Sequence, residues 1–136
     1  MTVLKIGIVA LAVLMAACTS TERAFDIRGA DRPEYTQTIS PQQLEAFKSR
    51  GGVLADVRLV EDFDQDPRLI PGAVRVDPEN ADYWASADKS KPVALYCVKG
   101  KWVSQKTAAY VSSLGFETYS LEGGLVAFDE FSQSQN

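Results

Sequence analysis

Histidine is absent from this chain and cysteine occurs only twice. Without histidine no Ser-His or Cys-His catalytic pair can form, and zinc sites of the usual imidazole-containing kinds are excluded. Positive charge is scarce as well: 14 basic residues face 18 acidic ones, a formal net charge of −4. That balance argues against nucleic acid, whose binders carry a basic footprint, and gives no electrostatic support for a membrane surface. Long apolar runs are also lacking. The longest, residues 6–17, is twelve residues, short of the roughly 20 a helix needs to cross a hydrocarbon core. No metal site and no cofactor are expected.

The two cysteines sit in different surroundings. Cys18 ends the apolar N-terminal segment in Leu14-Met15-Ala16-Ala17-Cys18, behind a single positive residue, Lys5. A charged start, an apolar stretch and small residues before a fixed position make a secretory signal. The last residues resemble a bacterial lipobox, with Met15 where Leu is commonest. The resemblance implies cleavage before Cys18 and acylation of Cys18. Several acyl chains make a stable anchor where one is marginal. Thr19, where an Asp would favour inner-membrane retention, points to the cell envelope, at the outer membrane facing the periplasm. Ordinary signal cleavage and an uncleaved helix are the competing readings. Loss of residues 1–17 removes Lys5 alone, leaving 13 basic against 18 acidic residues. Residues 18–36 are polar and read as a lipidated tether, and residues 37–136 as one domain with a single core.

Along that domain, strand and helix alternate. Residues 36–39 suit a strand. Ser40, Pro41 and Gln43 then form a helix start, with a capping box and an Ile39–Leu44 staple, and the helix stops at Gly51-Gly52. Residues 53–57 form an apolar strand interrupted by Asp56. A polar stretch, residues 58–68, leads to the Ile70-Pro71-Gly72 turn and a short strand at 73–76. A weak helix is expected over 81–85. The continuous apolar run Val93-Ala94-Leu95-Tyr96 suits a strand buried on both faces of a parallel sheet. Helical spacing of Thr107, Ala108, Val111 and Leu114 predicts a helix over 104–114, ended by Gly115. A last strand at 118–121 and a helix at 125–131 follow. The expected fold is α/β, a parallel sheet with helices on both faces.

Cys97 then lies at a strand's carboxyl end, where such sheets bind ligands. A thiolate is the reactive form of cysteine, and helix N-termini and nearby cations favour it. A helix start, Lys99 and Lys101 supply both influences. Gly100 lets the chain bend so that successive N–H groups form an anion-binding nest. A buried core cysteine is the competing reading. With Cys18 acylated, Cys97 is a single free thiol and no internal disulfide forms.

Four segments, in order, resemble the rhodanese-like domain family: Leu54-Ala55-Asp56-Val57-Arg58 with Glu61; Ile70-Pro71-Gly72-Ala73, behind Leu69 where the family has histidine; Tyr96-Cys97-Val98-Lys99-Gly100; and Leu114-Gly115-Phe116 with Leu121-Glu122-Gly123-Gly124. The resemblance implies a five-stranded parallel sheet and a sulfurtransferase in which Cys97 becomes a persulfide. A small anionic donor, thiosulfate or a persulfide, would supply the sulfur, and a thiol, cyanide or a protein would accept it. Val98, Lys99, Gly100, Lys101, Trp102, Val103 and Ser104 would form the substrate-binding loop, with the extra residue alternatively falling in the helix start. A loop of that length is associated with phosphate- or arsenate-sized substrates, but Val103 stands where those enzymes place an arginine. Trp102 is expected to pack under the loop, the alternative being a pocket wall. Asp56 and Arg58 are expected as an ion pair near the site floor. The competing functions are a non-catalytic sulfide- or protein-docking module and thiol redox chemistry, the latter disfavoured by the lack of a second, resolving cysteine.

Overall fold

The strand-helix alternation becomes a five-stranded parallel sheet in the computed structural model, which describes residues 25–136. The signal segment, Cys18 and the first part of the expected tether lie outside the described residues. Strand β1 (Thr38–Ile39) leads through a 3-10 turn (Pro41–Gln43) into helix α1 (Leu44–Ser49). The chain continues through β2 (Val53–Asp56), α2 (Val60–Gln65), β3 (Val74–Arg75), α3 (Asp82–Ser86) and β4 (Val93–Tyr96). Helix α4 (Trp102–Ser113), β5 (Thr118–Leu121) and α5 (Gly124–Ser134) complete it. The sheet order is β1-β5-β4-β2-β3, parallel throughout. No helix among the described residues is long and apolar enough to cross a membrane.

Alternating side chains divide the core between the two faces. On one face Leu54, Ala94 and Tyr96 pack with Leu44 and Phe47 of α1 and Leu125 of α5. On the other, Ala55, Val93 and Leu95 meet Trp84 of α3 and Ala108 and Val111 of α4. All four residues of β4 are buried, as its unbroken apolar run requires. The Tyr96 hydroxyl accepts the Ile70 N–H at 3.1 Å, and burial pushes its phenol above the ordinary range.

Two expectations are corrected. The polar stretch 58–68 contains α2, whose half-buried Phe63 lies under the guanidinium groups of Arg58 and Arg75, at 5.1 and 4.5 Å from its ring centre. The tether does not extend to residue 36, because the chain from Phe25 onward packs on the domain. Ile27 is 1 % exposed, Phe25 stacks on Tyr110 at 4.2 Å, and the Tyr35 hydroxyl donates to the Thr118 carbonyl. One buried apolar residue and one aromatic stack are enough to dock a segment whose composition is otherwise polar.

Asp56 and Arg58 are 0 % and 1 % exposed. Arg58 Nη2 and Nε donate to the Asp56 carboxylate at 2.7 and 2.9 Å. Its remaining donors reach the carbonyls of Asp66 and Arg68, at 2.8 and 3.0 Å. Burial works against the Arg58 charge, but the Asp56 carboxylate outweighs it and holds the guanidinium above its ordinary range. Replacing Arg58 with Met leaves a buried carboxylate without its main partner. Denaturant unfolding should show a loss of about 3–5 kcal/mol, and a change below ~1 kcal/mol would mean the pair is not structural.

Candidate active site

β4 ends at Tyr96, and the next residue is Cys97, 5 % exposed. Its neighbour β2 holds it in place, the Val57 N–H donating to the Tyr96 carbonyl at 2.9 Å. From Cys97 the chain turns through residues 98–101 and enters α4 at Trp102. The expected seven-residue loop is therefore shorter. Trp102, Val103 and Ser104 already form the first turn of α4, so the additional residue lies in the helix start.

Glycines set the shape of this turn. Gly100 has φ +65° and Gly124 has φ +59°, the left-handed region where a side chain is strained. They also face each other's backbone. A Cβ on Gly124 would come within 2.5 Å of the Cys97 carbonyl oxygen and 2.6 Å of the Gly100 nitrogen. That contact lets the start of α5 dock on the loop: Leu125 N–H donates to the Cys97 carbonyl at 2.9 Å and Val126 N–H to the Val98 carbonyl at 3.0 Å. The N–H groups of residues 98–101, by contrast, have no protein acceptor among the described residues. Carbonyls are thus spent on α5, while a run of amide donors stays free at the N-terminus of a twelve-residue helix. This is the polarity an anion site needs.

The sulfur of Cys97 lies 3.3 Å from Ser104 Oγ, on the first turn of α4. Ser104 Oγ in turn lies 3.0 Å from Ser120 Oγ on β5. Two hydroxyls in series can rotate to donate toward an anionic sulfur. Above the thiol opens a pocket of about 270 Å³ lined by Asp62, Cys97, Val98, Lys99, Lys101, Trp102 and Val103. A larger hollow of about 520 Å³, between residues 25–33 and α4, contains no cysteine.

Of the predicted residues, Cys97, Val98, Lys99, Lys101, Trp102 and Val103 line one pocket. Gly100 stands behind it against Gly124, and Ser104 touches the sulfur. Trp102 differs from expectation: it is 36 % exposed and forms part of the pocket wall, because its position on the first turn of α4 carries it outward. Asp56 and Arg58 are not in the pocket; they pair with each other, and Arg58 reaches on to the carbonyls of Asp66 and Arg68. Asp62, Leu59, Ser120 and Ile27 are additional site residues that sequence reasoning missed. Asp62 lies on the unrecognised α2, and Ile27 in the assumed tether. Among the described residues no group of three or more His, Cys, Asp or Glu side chains is placed to hold a metal ion.

Ile27, Leu59, Cys97 and Val103 form a separate apolar cluster. Arg28, next to Ile27, makes a two-pronged contact with Glu61, both bonds at 2.9 Å, and also binds Glu79. The Arg28 guanidinium holds the Glu61 carboxyl down at about 2, so the Arg28–Glu61 pair stays charged through the neutral and mildly acidic range.

The family description "Rhodanese-like domain" matches residues 40–131. The chain is 40 % identical over 88 residues to the thiosulfate sulfurtransferase GlpE of Pseudomonas savastanoi pv. phaseolicola, covering 63 % of this chain and 80 % of that protein. It superimposes on the rhodanese homolog TT1651 of the extremely thermophilic bacterium Thermus thermophilus with a TM-score of 0.54 at 31 % identity, covering 68 % of this chain and all of that one. A rhodanese-related protein of Thermoplasma volcanium shares the fold, with a TM-score of 0.60 at 21 % identity over 71 % of this chain and 93 % of that one.

The glycine contact makes a prediction. Gly124→Ala should cost at least about 1–3 kcal/mol and alter the rate at which Cys97 is alkylated. Gly115 also has positive φ (+99°) but open space around its missing Cβ. Gly115→Ala should therefore destabilise without changing Cys97 reactivity. Equal effects of both variants on the alkylation rate would rule out the docking role assigned to Gly124.

Proposed function

The chain belongs to the rhodanese-like domain family, and from that membership we propose a sulfurtransferase that carries a sulfane sulfur on Cys97. One observation carries the proposal: a buried thiol lies at the end of the central strand, beside free amide donors and the N-terminus of α4. Those amides can hydrogen-bond an anionic sulfur before and after loading.

With thiosulfate as donor, the Cys97 thiolate forms a bond to the outer sulfur. The sulfur–sulfur bond of thiosulfate breaks, and sulfite leaves with the electron pair. The enzyme is left as a Cys97 persulfide, its charge held by the loop amides and by Ser104. Cyanide or a thiolate then attacks the outer sulfur, and Cys97 departs as thiolate. A low-molecular-weight persulfide would load Cys97 in the same way, with a thiolate as leaving group. Lys99 and Lys101, both exposed at the pocket, raise the local concentration of an anionic donor. Phosphate or arsenate chemistry is poorly served, since Val103 offers no guanidinium at the end of the loop. A non-catalytic docking module is the alternative.

We also propose that Cys18 carries the lipid anchor. The sequence pattern at residues 5–18 supports this, and it would hold the domain at the cell envelope, on the periplasmic face of the outer membrane.

Intact mass of the purified full-length protein tests both parts. Thiosulfate should add one sulfur atom that reductant removes and that Cys97→Ser never gains. Acyl mass should be present and should vanish in Cys18→Ala. No sulfur gain from thiosulfate or a glutathione persulfide would favour the docking module. In steady-state assays Lys99→Ala/Lys101→Ala should lower kcat/KM for thiosulfate by about tenfold at low ionic strength, and added salt should shrink the gap. A salt-independent gap would remove the steering role of the lysines.

A further inference from the structure

We infer that residues 25–32 form a specificity strap that selects low-molecular-weight sulfur acceptors over thiols on folded proteins. The inference rests on the sulfurtransferase reading of Cys97. The strap lies before the matched rhodanese-like region, which begins at residue 40, yet it supplies one wall of the cysteine's surroundings. Ile27 is buried against Cys97, Leu59 and Val103. Five residues on, Arg32 lies over the Trp102 ring, 4.1 Å from its centre, so the strap also reaches the rim of the pocket. Between these points the Gly29 carbonyl accepts from Lys106 Nζ at 2.9 Å.

Closed on that flank, Cys97 faces solvent through the pocket of about 270 Å³. That is at or below the small end of ligand pockets. Cyanide or a short thiol can reach the outer sulfur of the persulfide through such an opening. There the acceptor's electron pair forms the new bond, the Cys97 sulfur–sulfur bond breaks, and Cys97 keeps its pair as thiolate. A cysteine on a folded surface must approach over the rim of that opening, where Arg32 of the strap covers Trp102.

The strap's fastenings differ in strength. Ile27 is held by apolar contact, whereas Arg28, Glu61 and Glu79 are each about half exposed. Exposed ion pairs contribute little and are screened by salt, so the clamp is the part that substitution can loosen without unfolding the sheet.

The test uses the full-length protein in detergent, with Arg28→Ala and, separately, Glu61→Gln/Glu79→Gln. Alkylation is read at the Cys97-containing peptide with two reagents, iodoacetamide and a maleimide carried on a polyethylene glycol chain. Both variants should speed the bulky reagent by roughly three- to tenfold while changing iodoacetamide by less than about twofold. High salt should move the native protein in the same direction. In persulfide-loaded protein, transfer to a folded protein bearing one surface thiol should rise by a similar factor, with transfer to cyanide unchanged. An unchanged ratio of the two reagents in both variants would overturn the strap's role, even if sulfur transfer itself is observed. Failure of the native protein to load a persulfide, with the reagent ratio still shifting, would remove the sulfurtransferase reading and the acceptor selection with it, leaving only a shield over a thiol.

Discussion

Among the described residues Arg58 is one of the largest side chains fully enclosed, and the shape of one side of the site follows from what its guanidinium holds. A charge sealed away from water is tolerable only if its donors are satisfied. Here Nε and Nη2 grip Asp56, while Nη1 and Nη2 hold the carbonyls of Asp66 and Arg68. The segment between those points is therefore a closed loop tied to the end of β2. It carries Leu59 to the flank of Cys97, Asp62 to the pocket and Glu61 to the strap. A lysine has no planar fork and could not make these contacts together. Asp56 and Arg58 thus affect the site without entering it, by placing α2.

The other side of the site depends on a close backbone approach. Gly100 and Gly124 let the turn after β4 and the start of α5 come together at distances no Cβ would allow. The consequence is a sorting of polarity. Two loop carbonyls, which would repel an anion, are consumed by α5, and the amides remain without protein acceptors. The same contact explains why glycines 26 and 27 positions after Cys97 belong to the site: Gly124, the first residue of α5, serves the loop, while Gly123 makes room for Ala127 of the helix itself.

Much of this was legible in the sequence because it is local. The four-residue run of β4, the cysteine that follows it, Gly100 and the repeat of apolar positions on α4 each carry their meaning within a few residues. The start of α4 was harder, because Lys101 in the N-cap position makes no side-chain cap and gives no stop signal before Trp102. Helix α2 is six residues long and half of them are acidic; its stability comes from Arg58 and Arg75 over Phe63, which no local pattern reveals. The strap was least legible. Its contacts join Arg28 to residues 33 and 51 positions away, and its one buried apolar side chain, Ile27, has no periodicity to announce it. Polar composition predicts that a segment lacks its own core, but says nothing of whether it can borrow one.

That borrowing changes what the segment before the domain can do. A free tether as long as residues 18–36 would let the domain turn in any direction above a membrane. With docking from Phe25 onward, the packed chain begins seven positions after the proposed anchor at Cys18. Seven Cα steps span at most about 25 Å, and the docked chain starts at the strap itself, beside Cys97. Under the proposed lipidation the thiol is thus held near the bilayer surface, and tension or crowding at the anchor would act first on the strap. The apolar plug and the ionic clamp then have distinct parts: Ile27 keeps the thiol covered, and the exposed Arg28 contacts set how easily that cover yields.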